Sequence, residues 1–221
     1  AGEKAGDGVD YKKEAERALT EKLGREVRIS GGNKGKITLS FYSADDREKL
    51  MEMLRKLIEE QVSVYKRTNV VKSEAFSEII KKAMNKYING LITNEEGIQE
   101  LLELAKKINE AKEAGKQMGL TADELAFYDA LTKPENIKDF YENDELVAIT
   151  KELTDTLKKS RTVDWQKKES ARAKMRMMIK KLLKKHKYPP EGMEDAVKTV
   201  MIQCELWTDN QDFSVDYIIY K

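Results

Sequence analysis

The chain has 221 residues, which is enough for one large domain or two small ones. Charged residues make up 37% of it; five phenylalanines and three prolines disfavour an all-β fold, and frequent Lys, Glu, Leu and Ala favour helices. No run of about 18 apolar residues occurs, so the sequence predicts no membrane partner. The single cysteine, Cys204, excludes an internal disulfide and fits a reducing cytoplasm, where we expect the protein to act.

The N-terminal quarter has a helix–hairpin–helix pattern. Residues 1–10 are Gly-rich and charged, and we expect them to be disordered or a remnant of the expression vector. A helix over residues 11–23 stops at Gly24, and two strands then alternate apolar with polar residues around a glycine turn. Ser43, with Asp46 three residues later, caps a second helix. No Pro or Gly occurs between residues 44 and 88, so this helix is expected to run on, continuously or nearly so, toward the next domain.

The remaining chain reads as consecutive helices with recognisable starts and stops. Capping signals are expected at Ser73, at the boxes that begin with Thr93 and Thr121, and at Asn143. Trp165 opens a long helix, which ends at Pro189 and Pro190 before a last helix. The tail, residues 211–221, alternates apolar and polar residues like a strand, and it either pairs with a sheet edge or is disordered. The apolar residues of that alternation are Phe213, Val215, Tyr217 and Ile219.

The fold class predicted is mainly α, with a small α+β N-terminal module followed by a multi-helix bundle. The expected domains are residues 11–60 and 61–210.

Charge is unevenly distributed along the chain. Residues 93–155 carry 7 Lys/Arg and 16 Asp/Glu, a net charge of −9, whereas residues 161–188 carry 11 and 2, a net charge of +9. The second of these segments contains the basic helix over residues 165–187. Its cations either pair with the acidic segment inside one bundle or present a surface for nucleic acid or an acidic partner, and we favour internal pairing.

The sequence offers no catalytic residues and no cofactor or metal site. The loop that begins at Gly31 lacks the Gly-Lys-Ser/Thr element of a phosphate-binding loop, so a hairpin turn is expected. His186 is the only histidine and lies at a cationic helix end, and Cys204 lies on an apolar helix face. The methionines at 175, 177 and 178 are expected to pack in the core.

The run Gly-Gly-Asn-Lys-Gly-Lys-Ile-Thr-Leu-Ser-Phe-Tyr-Ser-Ala-Asp-Asp over residues 31–46 resembles the C-terminal dimerisation domain of ParB-type partition proteins. The resemblance covers residues 11–57 and implies a homodimer that pairs strands and helices between chains, with weak, nonspecific DNA binding by a basic sheet face. An isolated hairpin is marginal in water, which also favours dimerisation. The predicted dimer interface comprises Ile37, Leu39, Phe41, Leu50 and Leu54, and the matching basic positions are Arg28, Lys34 and Lys36.

Residues 65–210 resemble the C-terminal helical domain of the restriction (motor) subunit of type I restriction–modification enzymes. The segments that carry the resemblance are Leu-Ala-Phe-Tyr-Asp-Ala-Leu at 125–131, Lys-Glu-Leu-Thr-Asp at 151–155, and Val-Asp-Trp-Gln-Lys-Lys-Glu-Ser-Ala-Arg-Ala-Lys-Met at 163–175. The resemblance implies docking on the methyltransferase and specificity subunits, without nuclease or motor motifs and therefore without enzyme activity. The expected contacts on the basic helix are Lys174, Lys180, Lys181 and Lys184.

We interpret the chain as a fusion, engineered or natural, that dimerises through one module and docks to a partner through the other. The alternative is a DNA-binding protein that uses the basic helix and the hairpin face.

Overall fold

The computed structural model describes residues 11–31, 35–134, 137–160 and 165–216, with side chains described as far as residue 209. The chain divides into two compact units, residues 1–54 and residues 55–221. The described part is mainly helical with one β-hairpin, which confirms the predicted fold class. Its elements are α1 (Tyr11–Leu23), β1 (Val27–Gly31), β2 (Gly35–Leu39), α2 (Ala44–Thr68), α3 (Val70–Ile88), α4 (Asn94–Gln117), α5 (Ala122–Leu131), α6 (Ile137–Phe140), α7 (Asn143–Ser160), a 3₁₀ turn (Trp165–Lys167), α8 (Glu169–Lys185) and α9 (Pro190–Asp216).

The first unit follows the predicted helix–hairpin–helix order. Gly24 has φ of +64° after the last residue of α1, a conformation that glycine adopts without the steric cost of a side chain. Strand β2 ends at Leu39, although the alternation of apolar and polar residues in the sequence continues through Phe41 and Tyr42. The start of α2 is capped from both sides: the amide of Asp46 donates to Ser43 Oγ at 3.1 Å, and the Asp46 carboxylate accepts from the amide of Tyr42 at 2.9 Å.

Helix α2 does not continue into the next helix. The helix is interrupted at Asn69, whose side chain accepts a hydrogen bond from the amide of Lys72 and caps α3. Helix α3 therefore starts before the expected cap at Ser73. Gln203 of α9 provides hydrogen-bond partners for the backbone groups at this interruption. Its side-chain amide donates to the carbonyl of Thr68 at 2.8 Å and accepts from the amide of Val70 at 2.9 Å. The break is therefore held by a residue far away in sequence.

The capping boxes predicted at Thr93 and Thr121 are both present and start α4 and α5. Glu124 accepts from the amide of Thr121 at 2.7 Å, and this hydrogen bond is the main cause that lowers the pKa of Glu124. These local signals fix where the helices of the second unit begin.

The core of the second unit is formed by α5, α7, α8 and α9 with the 3₁₀ turn. Trp165 is 1% exposed and donates from its indole nitrogen to Thr208 at 3.2 Å. Trp165 lies in the 3₁₀ turn ahead of α8, and α8 itself begins at Glu169 rather than at the tryptophan. The rings of Phe127 and Trp207 meet edge to face with centroids 6.2 Å apart.

The tail differs from the strand pattern, because α9 continues through Asp216. The period of two in Phe213 and Val215 was too short to decide between strand and helix, and no helix breaker follows Gly192 in this stretch. Tyr217 and Ile219 lie outside the described residues. Among the described helices, none is long and apolar enough to cross a membrane.

Candidate interaction surfaces

The two edges of the hairpin are treated differently. In an antiparallel pair, residues at non-hydrogen-bonded positions point their amides and carbonyls outward, and Ile29 opposite Ile37 is such a pair. On the β1 side, helix α1 satisfies two outward amides: that of Val27 donates to Thr20 Oγ1 at 3.0 Å and that of Ile29 to Glu16 Oε1 at 2.5 Å. On the β2 side, no such partner occurs among the described residues. β2 is thus an open sheet edge.

The residues predicted to form the dimer interface fall into three groups by their exposure. Ile37 is 60% exposed and Phe41 is 47% exposed, with the Arg47 guanidinium 5.7 Å from the centre of the Phe41 ring. Leu39 and Leu54 are half-buried. Leu50 is already buried at 3% exposure within the single chain, so it offers a partner little surface. The exposed group lies on and just after the open edge of β2.

The basic positions of the hairpin provide little free charge. Arg28 forms an ion pair at 2.8 Å with Glu26, the residue just before β1, and Lys36 is exposed. Lys34 lies outside the described residues. Arg25, which is buried, is committed to Asp46 at 3.1 Å.

Helix α8 carries two faces. Its inner face packs Met175, Ile179, Leu182 and Leu183 into the core. An outer stripe, at spacings of three and four residues, consists of four exposed side chains, namely Lys174, Met177, Lys181 and Lys184. Met177 is 72% exposed, so the expectation that all three methionines pack in the core is wrong for this one. The sequence contained the signal, since Met177 lies three residues after one lysine and four before another.

The cations of α8 are paired mainly with α9, not with the acidic segment. Arg172 contacts Glu205 at 2.5 Å, and Lys180 contacts Glu194. Among the described residues, the acidic segment 93–155 supplies one carboxylate to α8, that of Glu152, which lies 2.6 Å from Lys185. The lysines of the outer stripe have no carboxylate within 4.0 Å in the described part of the chain. Internal pairing with residues 93–155 is therefore largely wrong.

The remaining candidates for chemistry have structural roles. Hydrogen bonds from Lys185 and His186 hold the pKa of Glu152 below its ordinary value, with His186 Nε2 at 2.8 Å from its Oε2. Cys204 is fully buried in the core. The described residues contain no group of three His, Cys, Asp or Glu side chains that could hold a metal ion.

Comparison with known proteins identifies the helical part. Residues 40–210 match the family described as type I restriction enzyme HindI endonuclease subunit-like, C-terminal. The chain is 38% identical over 152 residues to the type I restriction enzyme HindI endonuclease subunit of Haemophilus influenzae, and 34% identical over 152 residues to the putative type I restriction enzyme MjaIXP endonuclease subunit of Methanocaldococcus jannaschii. These alignments cover 69% and 67% of this chain but 14% of each relative. No solved structure gives a significant match.

The comparisons lend no support to the resemblance of the first segment to partition proteins, and the family match begins at residue 40, inside that segment. The match begins after β2 and covers the whole of α2 to α8, including the interruption at Asn69. On this basis the chain belongs to the HindI endonuclease subunit-like C-terminal family of type I restriction enzymes.

Proposed function

We propose that this chain is a non-catalytic assembly module. In this proposal the helical unit docks to the methyltransferase core of a type I restriction–modification complex, and the N-terminal unit forms a homodimer. The observation that carries the docking role is the outer stripe of α8, a row of lysines without carboxylate partners among the described residues, with an exposed methionine at its centre.

The chemistry of the stripe suits a protein surface. Unpaired lysines at a surface attract an acidic partner and speed its approach. Met177 adds a flexible apolar side chain of the kind that is frequent at adaptable binding surfaces. A surface with both features fits an acidic partner that also buries apolar area.

A pull-down with the methyltransferase and specificity subunits of a type I enzyme tests the docking role. We expect the wild-type chain to bind, and Met177→Glu with Lys181→Glu to weaken binding by about tenfold or more, since charge reversal at an interface places like charges together. Lys81→Glu on α3 is the matched control, because Lys81 is also an exposed helical lysine. Failure of the wild-type chain to bind would contradict the proposal.

The homodimer is supported by the open edge of β2 and by the exposed side chains beside it. Pairing two β2 edges across a two-fold axis would satisfy the outward amides and carbonyls and cover Ile37 and Phe41. The resemblance of residues 11–57 to partition-protein dimerisation domains suggests the same arrangement.

Light scattering after size exclusion measures the dimer directly. We expect the wild-type chain to have the mass of a dimer at micromolar concentration, and Phe41→Asp to have the mass of a monomer. Ile88→Asp, at an exposed apolar position of α3, should leave the dimer intact. A monomeric wild-type chain would show that the open edge is not used.

DNA binding by α8 is the second candidate, and the same partnerless lysines favour it. If Lys174, Lys181 and Lys184 each neutralise one phosphate, the affinity for duplex DNA should fall with salt with a log–log slope of about −2.7. Fluorescence anisotropy at two salt concentrations measures this slope. Submicromolar affinity near physiological salt, lost in Lys181→Glu with Lys184→Glu, would place DNA binding first.

A further inference from the structure

A groove of about 330 Å³ lies between α8 and α9, and its lining includes no member of the outer stripe. Arg172, near the start of α8, contacts Glu205 in the second half of α9, and Lys180, further along α8, contacts Glu194 near the start of α9. The two helices therefore run antiparallel. These two ion pairs stand at the two ends of the groove. Any charged side chains without an ion-pair partner therefore lie in the middle of the groove.

Two cations occupy that middle without a carboxylate. Arg176 lies halfway between Arg172 and Lys180 on α8, and Lys198 lies on the facing helix; both are exposed and line the groove. In the described part of the chain, no carboxylate lies within 4.0 Å of either. The groove thus has neutralised ends and a cationic centre.

The floor of this groove is apolar. Val197 and Met201 of α9 are buried beneath it, and Ile202 remains 40% exposed at its side. A cationic centre above an apolar floor is suited to a segment that brings both a carboxylate and an apolar side chain, as an amphipathic acidic helix does.

We infer that the groove between α8 and α9 receives an acidic amphipathic segment of a protein partner. Its carboxylate lies between Arg176 and Lys198, and its apolar side chain packs on Ile202. The inference rests on the proposed docking function and names the part of the surface, and the partner chemistry, that it would use.

Nucleic acid fits this groove less well. At its two ends Arg172 and Lys180 are already paired with Glu205 and Glu194, so a phosphate backbone that extends past the centre finds no free cation there. The apolar floor would find no apolar partner along a duplex backbone. A protein segment meets both the charge of the centre and the character of the floor.

The experiment measures binding of two probes to the full chain: a synthetic helical peptide with Glu on one face and Leu on the other, and the methyltransferase core used above. We expect Arg176→Glu with Lys198→Glu to weaken binding of both probes by about tenfold or more, and Ile202→Glu to weaken it as well. Lys81→Glu should leave binding within about twofold, and circular dichroism should show unchanged helix content in every variant.

The outcomes separate the inference from the proposed function. If the core binds and the groove variants bind it as well as the wild-type chain does, the groove inference is wrong and the docking function stands. If the core does not bind but the peptide does, in a way that depends on Arg176 and Lys198, the docking function is wrong and the groove preference stands. Absence of peptide binding to the wild-type chain, or displacement of the peptide from the groove by duplex DNA, overturns the inference.

Discussion

The two units of this chain treat their apolar side chains in opposite ways. The second unit encloses Trp165, Phe127 and Leu153 almost completely, and its helices are joined by buried hydrogen bonds such as that from Tyr188 to the carbonyl of Leu131. In the first unit, helix α1 buries no residue, and Ile37 and Phe41 remain exposed beside an open strand edge. The second unit therefore has a complete apolar core of its own, whereas the first has little buried apolar surface and would gain stability from the dimer proposed above.

The strongest test separates the two units. A fragment of residues 44–210 should show a cooperative melt whose midpoint does not depend on protein concentration, because its core is complete within one chain. A fragment of residues 11–68 should instead show a midpoint that rises with concentration, as expected for a structure stabilised by dimerisation. Circular dichroism at several concentrations measures both. A melting midpoint of the shorter fragment that does not depend on concentration would show that dimerisation does not stabilise the first unit.

Truncation of a core side chain should have the next largest effect. Trp165→Ala removes a side chain that is 1% exposed, and we expect it to lower the free energy of unfolding by about 3–5 kcal/mol. Tyr11→Ala is the counterpart in the first unit; its exposed ring should contribute within about 0.5 kcal/mol. Denaturant unfolding of both variants decides, and equal losses would mean that the two units are packed alike.

The half-buried carboxylate of Asp129 should have an intermediate effect on stability. The Asp129 carboxylate accepts from the Asn69 side-chain amide at 2.6 Å and lies 2.9 Å from the Lys72 ammonium. Asp129→Ala leaves both partners without that acceptor, so we expect a loss of about 1–3 kcal/mol. Asp139→Ala, at an exposed position of α6, is the control for loss of one negative charge. Should both variants unfold at the same denaturant concentration, the hydrogen bonds at the helix break would contribute nothing.

The smallest expected effect is a dependence of the stability of the second unit on pH in the acidic range. The pKa of Glu152 and that of Glu124 are both lowered in the folded chain, Glu152 by hydrogen bonds from Lys185 and His186, and Glu124 by the amide of Thr121. A lowered pKa stabilises the fold above the ordinary value of 4.5, and this stability is lost as pH falls through the folded pKa. Glu152→Gln with Glu124→Gln should flatten the stability profile between about pH 5 and pH 3. Thermal melts across that range measure the slope, and an unchanged slope would exclude both carboxylates as its source.

The sequence predicted those features that depend on neighbouring residues. The boxes at Thr93 and Thr121, the stop at Gly24 and the pairing of the hairpin all follow from chemistry within a few residues. The exposure of Met177 was also within reach, because lysines flank it at helical spacing.

Features that depend on distant residues were not predictable in this way. The stretch from Thr68 to Val70 has no Pro or Gly, and the helix breaks there because Gln203 offers both a donor and an acceptor. The pairing of α8 with α9 rather than with residues 93–155 follows from the packing of the two helices, which net charge along the sequence does not reveal. The α8–α9 groove, being formed by two elements, had no sequence signal of its own.

The hydrogen bonds of Gln203 also have a consequence for the order of folding. Val70 and Gln203 are 133 residues apart, and contacts of such separation form late because the long loop between them must close first. During synthesis, the chain around Asn69 leaves the ribosome well before α9, so we expect residues 44–88 to form one longer helix or a frayed pair first. Pulse-labelled hydrogen exchange should show the Val70 amide protected later than the amides in the middle of α3, and simultaneous protection would mean that the break forms without α9.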